Sequence, residues 1–199
     1  MPTSDPFSGK TMNRPRLVPH RLFPAYAYLP GRQPHPVRHP AGHSYQTQPV
    51  HLVAAVESEE FSWGEDLFNH GYYWEAHEAW EGLWQVADKG SNIRTLLKGL
   101  ILLCAAGVKI REGKRVAAKR HAGRAAALFR QLAHPPRDAF EKALGLPSKA
   151  LAGYAEAIAV APPILQRADE RQPETVFSFI LGSELAGHEH HGAGRALGT

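Results

Sequence analysis

The chain has 199 residues, of which 43% are hydrophobic and 21% are charged, and its formal net charge is +4. This composition is typical of a globular protein, and the chain is long enough to bury a sizeable core. No run of about 18 or more apolar residues occurs, which excludes a membrane-spanning helix. The single cysteine, Cys104, excludes an internal disulfide. Because the N-terminus also shows no signal-peptide pattern, we expect a soluble, cytoplasmic protein that does not associate with membranes.

The first 50 residues are predicted to be an irregular arm. Ten of the 16 prolines fall here, and proline removes a backbone donor and disfavours helix at the preceding residue. We expect residues 1–23 to be a disordered, basic lead-in. Residues 24–50 contain three tyrosines and three histidines, which is too aromatic for a solvated linker. We therefore expect this second part of the arm to pack on the domain that follows.

The chain between residues 57 and 160 shows helical patterns, interrupted by glycine, proline and capping residues. The six predicted helices span 57–69, 72–87, 93–111, 114–132, 137–144 and 148–160. The third is apolar on nearly all sides, so we expect it to be the central core helix, with Gly99 and Gly107 allowing close approach of its neighbours. The predicted fold is all-α: a compact helical bundle over residues 57–161 with an irregular, Pro-rich N-terminal arm.

The tail, residues 162–199, is expected to be partly disordered. It contains an apolar patch at 176–181 and a histidine-rich tract at 188–191. Tracts of this kind bind nickel or zinc adventitiously, so this one is expected to mimic a metal site in an assay.

Charge is unevenly distributed along the chain. Residues 57–81 contain eight acids and no lysine or arginine, whereas residues 109–130 contain eight basic residues and one glutamate. Segments of opposite sign more often attract each other, or coat opposite faces, than bind outside partners. The basic helix leaves phosphate or nucleic-acid binding as an alternative. No aromatic residue occurs in it before Phe129, which argues against the stacking of bases.

The second predicted helix mixes acids with aromatic residues. On a helical wheel His77, Glu78 and Glu81 fall within an arc of about 100°. The aromatic residues on the same side are Tyr73, Trp74, Trp80 and Trp84. Glu75 points away from this group. An exposed helix would place its acids opposite its aromatics, so we expect the imidazole and two carboxylates to be at least partly buried.

One interpretation of this helix is structural. The short connection near residue 89 makes helices two and three antiparallel neighbours. That arrangement would bring Arg94 near Trp84 and Glu81, and Lys98 near the two carboxylates, where Arg94 could form two parallel bonds to one of them. The motif would then fix the register of a non-catalytic interaction module, which could be a homodimer.

The other interpretation is a metal or acid–base site for a small molecule. Its candidate catalytic residues are His77, Glu78 and Glu81, and the same three are candidate metal ligands because residues four apart on a helix can reach one ion. Further metal ligands could come from the arm, at His35 or His43. Imidazole and carboxylate together suit zinc, iron or manganese. The candidate substrate-binding residues are Arg94, Lys98, Trp84 and Trp74. Whether the protein is an enzyme stays open.

The motif also supports a family resemblance. The run Phe68-Asn69-His70-Gly71-Tyr72-Tyr73-Trp74-Glu75-Ala76-His77-Glu78-Ala79-Trp80-Glu81-Gly82-Leu83-Trp84 resembles the signature of the bacterial and archaeal domain-of-unknown-function 309 family. The likeness continues through Arg94 to Gly113, and the arm, with Gly42-His43-Ser44, is similar to the start of proteobacterial members. The resemblance implies an all-helical fold and a small intracellular protein, and it implies no particular activity. Its motif positions are Glu75, His77, Glu78, Glu81, Trp84 and Arg94.

Overall fold

The computed structural model describes residue 14 and residues 16–47, 51–135, 138–165 and 173–182. Most of the predicted lead-in, the histidine-rich tract and much of the predicted tail lie outside these ranges. The described residues form six α-helices and no strand, which confirms the all-α fold class. The helices are α1 (Glu59–Asn69), α2 (Tyr73–Val86), α3 (Asn92–Arg111), α4 (Arg115–Leu132), α5 (Asp138–Leu144) and α6 (Ser148–Val160).

Local sequence signals explain where the first helices begin and end. The Ser58 hydroxyl caps α1 by accepting the Phe61 N–H at 3.2 Å, and the Ser91 hydroxyl caps α3 by accepting the Arg94 N–H at 3.3 Å. Gly71, with a φ of +85°, turns the chain between α1 and α2 in the left-handed region that favours glycine. These boundaries lie within two residues of those predicted.

Helix α3 is the centre of the bundle, as predicted, and packs against both α2 and α4. A Cβ atom at Gly107 would lie 2.7 Å from Cγ of Tyr73 on α2, and one at Gly99 would lie 2.4 Å from Cε1 of Phe129 on α4. The two glycines therefore allow the close helix packing that the sequence predicts. Cys104, on the same helix, is buried in the core. None of the helices in the described ranges combines the length and apolar character needed to cross a bilayer.

The segment 173–182 packs into the core although it lies beyond residue 161, where the sequence placed the end of the helical domain. The Phe177 ring stacks on Phe68 of α1 with centroids 5.1 Å apart. The Val176 N–H donates to the Tyr73 hydroxyl at 2.8 Å. The Asn69 side chain exchanges hydrogen bonds with the backbone of Leu181 at 2.8 and 2.9 Å. The apolar patch predicted at 176–181 thus supplies core side chains.

The arm is attached to α1 through Asp66, a carboxylate with no exposed surface. Asp66 accepts the backbone N–H groups of Leu17 and Val18 at 2.8 and 2.9 Å, and Nε of Arg16 at 3.1 Å. Three donors on one buried carboxylate satisfy the hydrogen-bonding capacity that burial would otherwise leave unmet. This contact holds residues 16–18 against the bundle before the arm continues across α2.

Candidate functional site

Helix α2 brings together three of the predicted site residues. One ligand atom from each of His77, Glu78 and Glu81 lies within 4.8 Å of the others. Nε2 of His77 is 3.5 Å from Oε2 of Glu81, and these two side chains keep 28% and 35% of their surface exposed. Glu78 is exposed rather than partly buried. The cluster is therefore open to solvent on one side.

Desolvation and neighbouring charges shift the pKa values of His77 and Glu78. Burial lowers the pKa of His77, against the opposing effect of the Glu81 carboxylate, and the Lys98 ammonium lowers it further. Neighbouring protein atoms desolvate Glu78 in part and, with the like charges of Glu81 and Glu75, raise its pKa to about 7. The neutral form of the His77 imidazole is therefore favoured. Beside it, the Glu78 carboxyl group is partly protonated near neutral pH.

Arg94 and Lys98 do not hold carboxylates in the way that the sequence suggested. Nη1 of Arg94 donates to the carbonyl oxygens of Trp84 and Ala87 at 2.6 and 2.7 Å. Its guanidinium lies 4.0 Å from the Trp84 ring centroid, and Nζ of Lys98 lies 4.7 Å from the same centroid. The expected fork of Arg94 onto a carboxylate is replaced by these backbone bonds, because the carbonyls at the end of α2 lack helical partners. Arg94 therefore fixes the α2–α3 turn.

The aromatic residues of α2 divide between two environments. Tyr73 and Trp80 are buried in the core, where Nε1 of Trp80 donates to the Phe61 carbonyl at 3.2 Å. Trp74 is half-buried under the arm and meets the rings of Tyr28 and His35, with centroids 5.1 and 5.6 Å away. Of the predicted binding residues, Trp74 therefore faces the arm, whereas Trp84 faces the cations of α3.

The arm histidines lie away from the His77 cluster. Nδ1 of His35 accepts the Val37 and Arg38 N–H groups at 3.3 and 3.4 Å. Nε2 of His43 lies 3.1 Å from Oε1 of Glu75. Among the described residues, the group of potential metal ligands contains neither arm histidine. The metal-ligand roles predicted for His35 and His43 thus have no counterpart in this arrangement.

Glu75 is a polar residue of α2 that the helical pattern alone does not place in the site. It is 6% exposed, and its Oε1 also accepts the Tyr28 N–H at 2.9 Å. The helical wheel directs it away from His77, and the arm then covers that side of α2. The sequence signal that indicates a functional role for Glu75 is its position in the family-like motif.

A cavity of about 280 Å³ lies between the arm and the α1–α2 pair. Both Glu75 and Glu78 line it, so it adjoins the His77 cluster through Glu78. The other lining residues are Arg21, Pro24, Val37, His43, Ser44, Leu52, Glu60, Trp63, Leu67, Trp74, Ala79 and Gly82. The helix motif therefore faces a space in which a small molecule fits.

Three basic residues between 109 and 130, Lys109, Lys114 and Arg130, pair with acids outside α1. Glu112 pairs with Lys109 and, at 2.9 Å, with Lys114. Nε of Arg130 lies 2.6 Å from Oε1 of Glu156 on α6. A second cavity, of about 390 Å³, lies at the start of α4 and is lined by basic residues, by Glu112 and by apolar residues of the arm and of 163–165. The basic residues are Arg32, Arg111, Lys114 and Arg115.

Comparison with known proteins supports the likeness that the α2 motif suggested. Residues 61–121 match the family described as Domain of unknown function (DUF309). The predicted resemblance to that family is confirmed over this segment, which runs from α1 into α4. The likeness of the arm to this family stays a prediction, since the match begins after it. No curated protein and no solved structure matches the chain.

Proposed function

We propose that the protein binds a divalent transition metal ion, zinc, iron or manganese, through His77, Glu78 and Glu81. The observation that carries this proposal is the approach of one potential ligand atom from each side chain to within 4.8 Å of the others. Bonds of roughly 2.0–2.2 Å hold the ligand atoms of one ion about 3–4 Å apart, so small side-chain rotations are enough to close the site. Imidazole with carboxylates is a ligand set that these metals accept.

Three protein ligands on one helix leave part of the coordination sphere open. In catalytic zinc sites three protein ligands hold the ion and the remaining position takes water or substrate. The cavity of about 280 Å³ that adjoins Glu78 provides space for such a ligand. This supports a site that acts on a small molecule, with Glu78 as a ligand or as a base.

The alternative, in which the motif only sets helix register, has less support. A purely structural network would be packed and closed, whereas Glu78 is exposed and lines a cavity. Arg94, the residue expected to complete an ion-pair network, donates to backbone carbonyls instead. Arg94 therefore connects α2 and α3 without the carboxylates of Glu78 and Glu81.

The test is a calorimetric titration of the metal-free protein with Zn²⁺ and with Mn²⁺. His188, His190 and His191 are replaced by alanine in every sample, to remove adventitious binding to the tail. We expect one ion per chain, and at least tenfold weaker binding in Glu81→Gln. The matched control is Glu57→Gln, the same change at an exposed residue outside the cluster, and it should bind like the parent. Equal affinity in both variants, or no binding by the parent, would reject the metal site.

Anion binding is a second candidate, favoured by the cavity at the start of α4. Four basic residues line it, two of them adjacent at the N-terminal end of that helix, where backbone N–H groups also attract anions. A titration with inorganic phosphate should show binding that weakens with added salt and is lost in Arg115→Gln. Lys119→Gln, an exposed change farther along α4, is the control. Binding that is indifferent to salt would exclude this candidate.

A further inference from the structure

A separate chain of hydrogen bonds lies where the arm crosses α2. Oγ of Ser44 is 2.9 Å from Nδ1 of His43, and Nε2 of the same ring is 3.1 Å from Oε1 of Glu75. A hydroxyl, an imidazole and a carboxylate are thus connected in the order of a nucleophile, its base and the group that orients the base. None of the three belongs to the proposed metal cluster.

The carboxylate determines which nitrogen of His43 carries the proton. Glu75 already accepts the Tyr28 N–H at 2.9 Å, so its Oε1 acts as an acceptor toward His43 as well. The proton of the ring then lies on Nε2, and the lone pair of Nδ1 accepts the Ser44 O–H. The His43 and Glu75 side chains are only 10% and 5% exposed. This burial holds the ring in one orientation relative to the hydroxyl.

The turn that contains His43 and Ser44 packs closely against the backbone of Pro36. A Cβ atom at Gly42 would lie 2.2 Å from the carbonyl oxygen of Pro36, so no other residue fits there without moving the backbone. The Ser44 N–H donates to the same carbonyl at 3.1 Å, and the His43 ring packs against Tyr26 with centroids 4.7 Å apart. The serine and histidine are therefore fixed by their own loop as well as by Glu75.

Ser44, His43 and Glu75 all line the cavity of about 280 Å³. Ser44 is half-buried there, so its hydroxyl borders a space that admits a small molecule. Much of the wall is aromatic or aliphatic. Its charged groups are the carboxyls of Glu60, Glu75 and Glu78 and the guanidinium of Arg21, which already contacts the Trp63 ring and Glu59. This balance disfavours an anionic ligand and suits a neutral or cationic molecule with a small apolar part.

From this arrangement we propose that Ser44 is a nucleophile that hydrolyses small neutral or cationic esters. His43 is the base, and Glu75 is a positioning residue that acts through His43. Oγ of Ser44 attacks the ester carbonyl while its proton passes to Nδ1 of His43. The bond to the alkoxy group breaks, and the leaving alcohol takes that proton. Water, deprotonated by the same nitrogen, then attacks the acyl-serine, releases the carboxylic acid and returns the proton to Ser44.

The test is covalent labelling of the full chain with an uncharged alkyl fluorophosphonate, followed by mass spectrometry of the peptides. Activated serines displace fluoride from such a reagent and keep the phosphonyl group. EDTA is present throughout, so the result does not depend on the proposed metal ion. We expect one adduct, on Ser44, that is absent in Ser44→Ala. Ser62→Ala, the same change on helix α1, should be labelled like the parent.

Two further variants test the assigned roles. We expect His43→Gln to label at least tenfold more slowly, because the base is gone. Glu75→Gln should slow labelling as well and should change the nitrogen resonances of His43, which report where the ring proton lies. An unmodified Ser44 in the parent, or labelling of Ser44 that is unaffected by His43→Gln, would overturn the proposal. A Glu75→Gln variant whose His43 resonances stay unchanged would overturn the positioning role.

Discussion

The side chains of His43 and Glu75 meet at 3.1 Å although they are 32 residues apart in the chain. Both are almost fully covered at this contact, with 10% and 5% of their surface exposed. Glu75, the first acid of the family-like motif, therefore binds the arm. The later acids, Glu78 and Glu81, belong to the solvent-open cluster on the same helix. One helix thus connects two candidate sites, which share the cavity beside Glu78.

Replacing Asp66 with alanine should detach the start of the arm from α1. The change leaves two backbone N–H groups and the Arg16 guanidinium without their buried acceptor. Losing one member of a buried, hydrogen-bonded pair costs roughly 3–5 kcal/mol. Urea unfolding, followed by tryptophan fluorescence, measures this loss in the free energy of unfolding.

Glu59→Ala is the control for that measurement. Glu59 also pairs with the arm, through His20 at 3.2 Å and Arg21 at 3.8 Å, but its side chain is 51% exposed. Exposed pairs contribute no more than about 1 kcal/mol. Equal losses in the two variants would show that the buried contact at Asp66 does not anchor the arm.

The stability of the protein should fall as the pH rises, because of Glu65 on α1. This carboxyl group has no exposed surface, and neither oxygen has a hydrogen-bond partner among the residues that the structure describes. Burial, and then the charge of Asp66, raise its pKa well above the ordinary value of 4.5. The folded state therefore holds a proton that the unfolded state releases. The contribution is fully present below the ordinary pKa and is lost as the pH rises toward the folded value.

Glu65→Gln should remove this pH dependence, since the amide cannot ionise. Relative to the parent, the variant should gain up to about 1.4 kcal/mol for each pH unit above the ordinary range of glutamate. Urea unfolding between pH 5 and pH 8 measures the difference, with the exposed Glu57→Gln as the matched control. Parallel stability curves for parent and Glu65→Gln would mean that Glu65 does not retain its proton on folding.

The helices could be predicted from sequence because their signals are local. Ser58, Gly71 and Ser91 act on residues no more than a few positions away, and the small residues of α3 lie on a pattern that marks a central helix. The composition and motif of α2 likewise identify the cluster of His77, Glu78 and Glu81 before its distances are known.

The remaining features of the site depend on distant partners. Glu75 is buried by the arm, whose path is set by prolines and turns. Such an irregular segment has no hydrophobic periodicity from which its path could be predicted. The guanidinium of Arg94 can donate to carboxylates or to the carbonyls at the end of α2, and in the folded chain it donates to those of Trp84 and Ala87. The burial of Val176, Phe177, Phe179 and Leu181 depends on contacts with α1 and α2 that span more than 100 residues.

The ionisation of Glu78 should depend on Glu81. Desolvation by neighbouring protein atoms is the largest cause that raises the pKa of Glu78 to about 7, and the like charge of Glu81 is the next. Glu81→Gln removes that charge, so the pKa of Glu78 should fall toward the ordinary value of 4.5. Carbon NMR of the side-chain carboxyl resonances, recorded in EDTA across pH 4–9, measures the pKa of Glu78 in the parent and in Glu81→Gln. Glu57→Gln should leave the titration unchanged, and a Glu78 titration that is identical in Glu81→Gln would refute the coupling.

Two glycine-to-alanine changes should have opposite effects on stability. A Cβ atom at Gly107 would lie 2.7 Å from the Tyr73 ring, which is itself buried, so Gly107→Ala should push α2 away from α3. Overpacking of this kind costs about 1–3 kcal/mol. For Gly153 on α6, no described atom beyond its chain neighbours and its own helix backbone lies within 4 Å of the added Cβ.

Gly153→Ala should therefore stabilise the protein by about 0.5–1 kcal/mol, since alanine favours a helix over glycine. Thermal unfolding of both variants and the parent separates steric crowding from helix propensity. Propensity alone predicts that both substitutions raise the stability. A gain in stability from Gly107→Ala would mean that α2 can shift without loss. The spacing of α2 and α3 would then not be fixed by the contact between Tyr73 and Gly107.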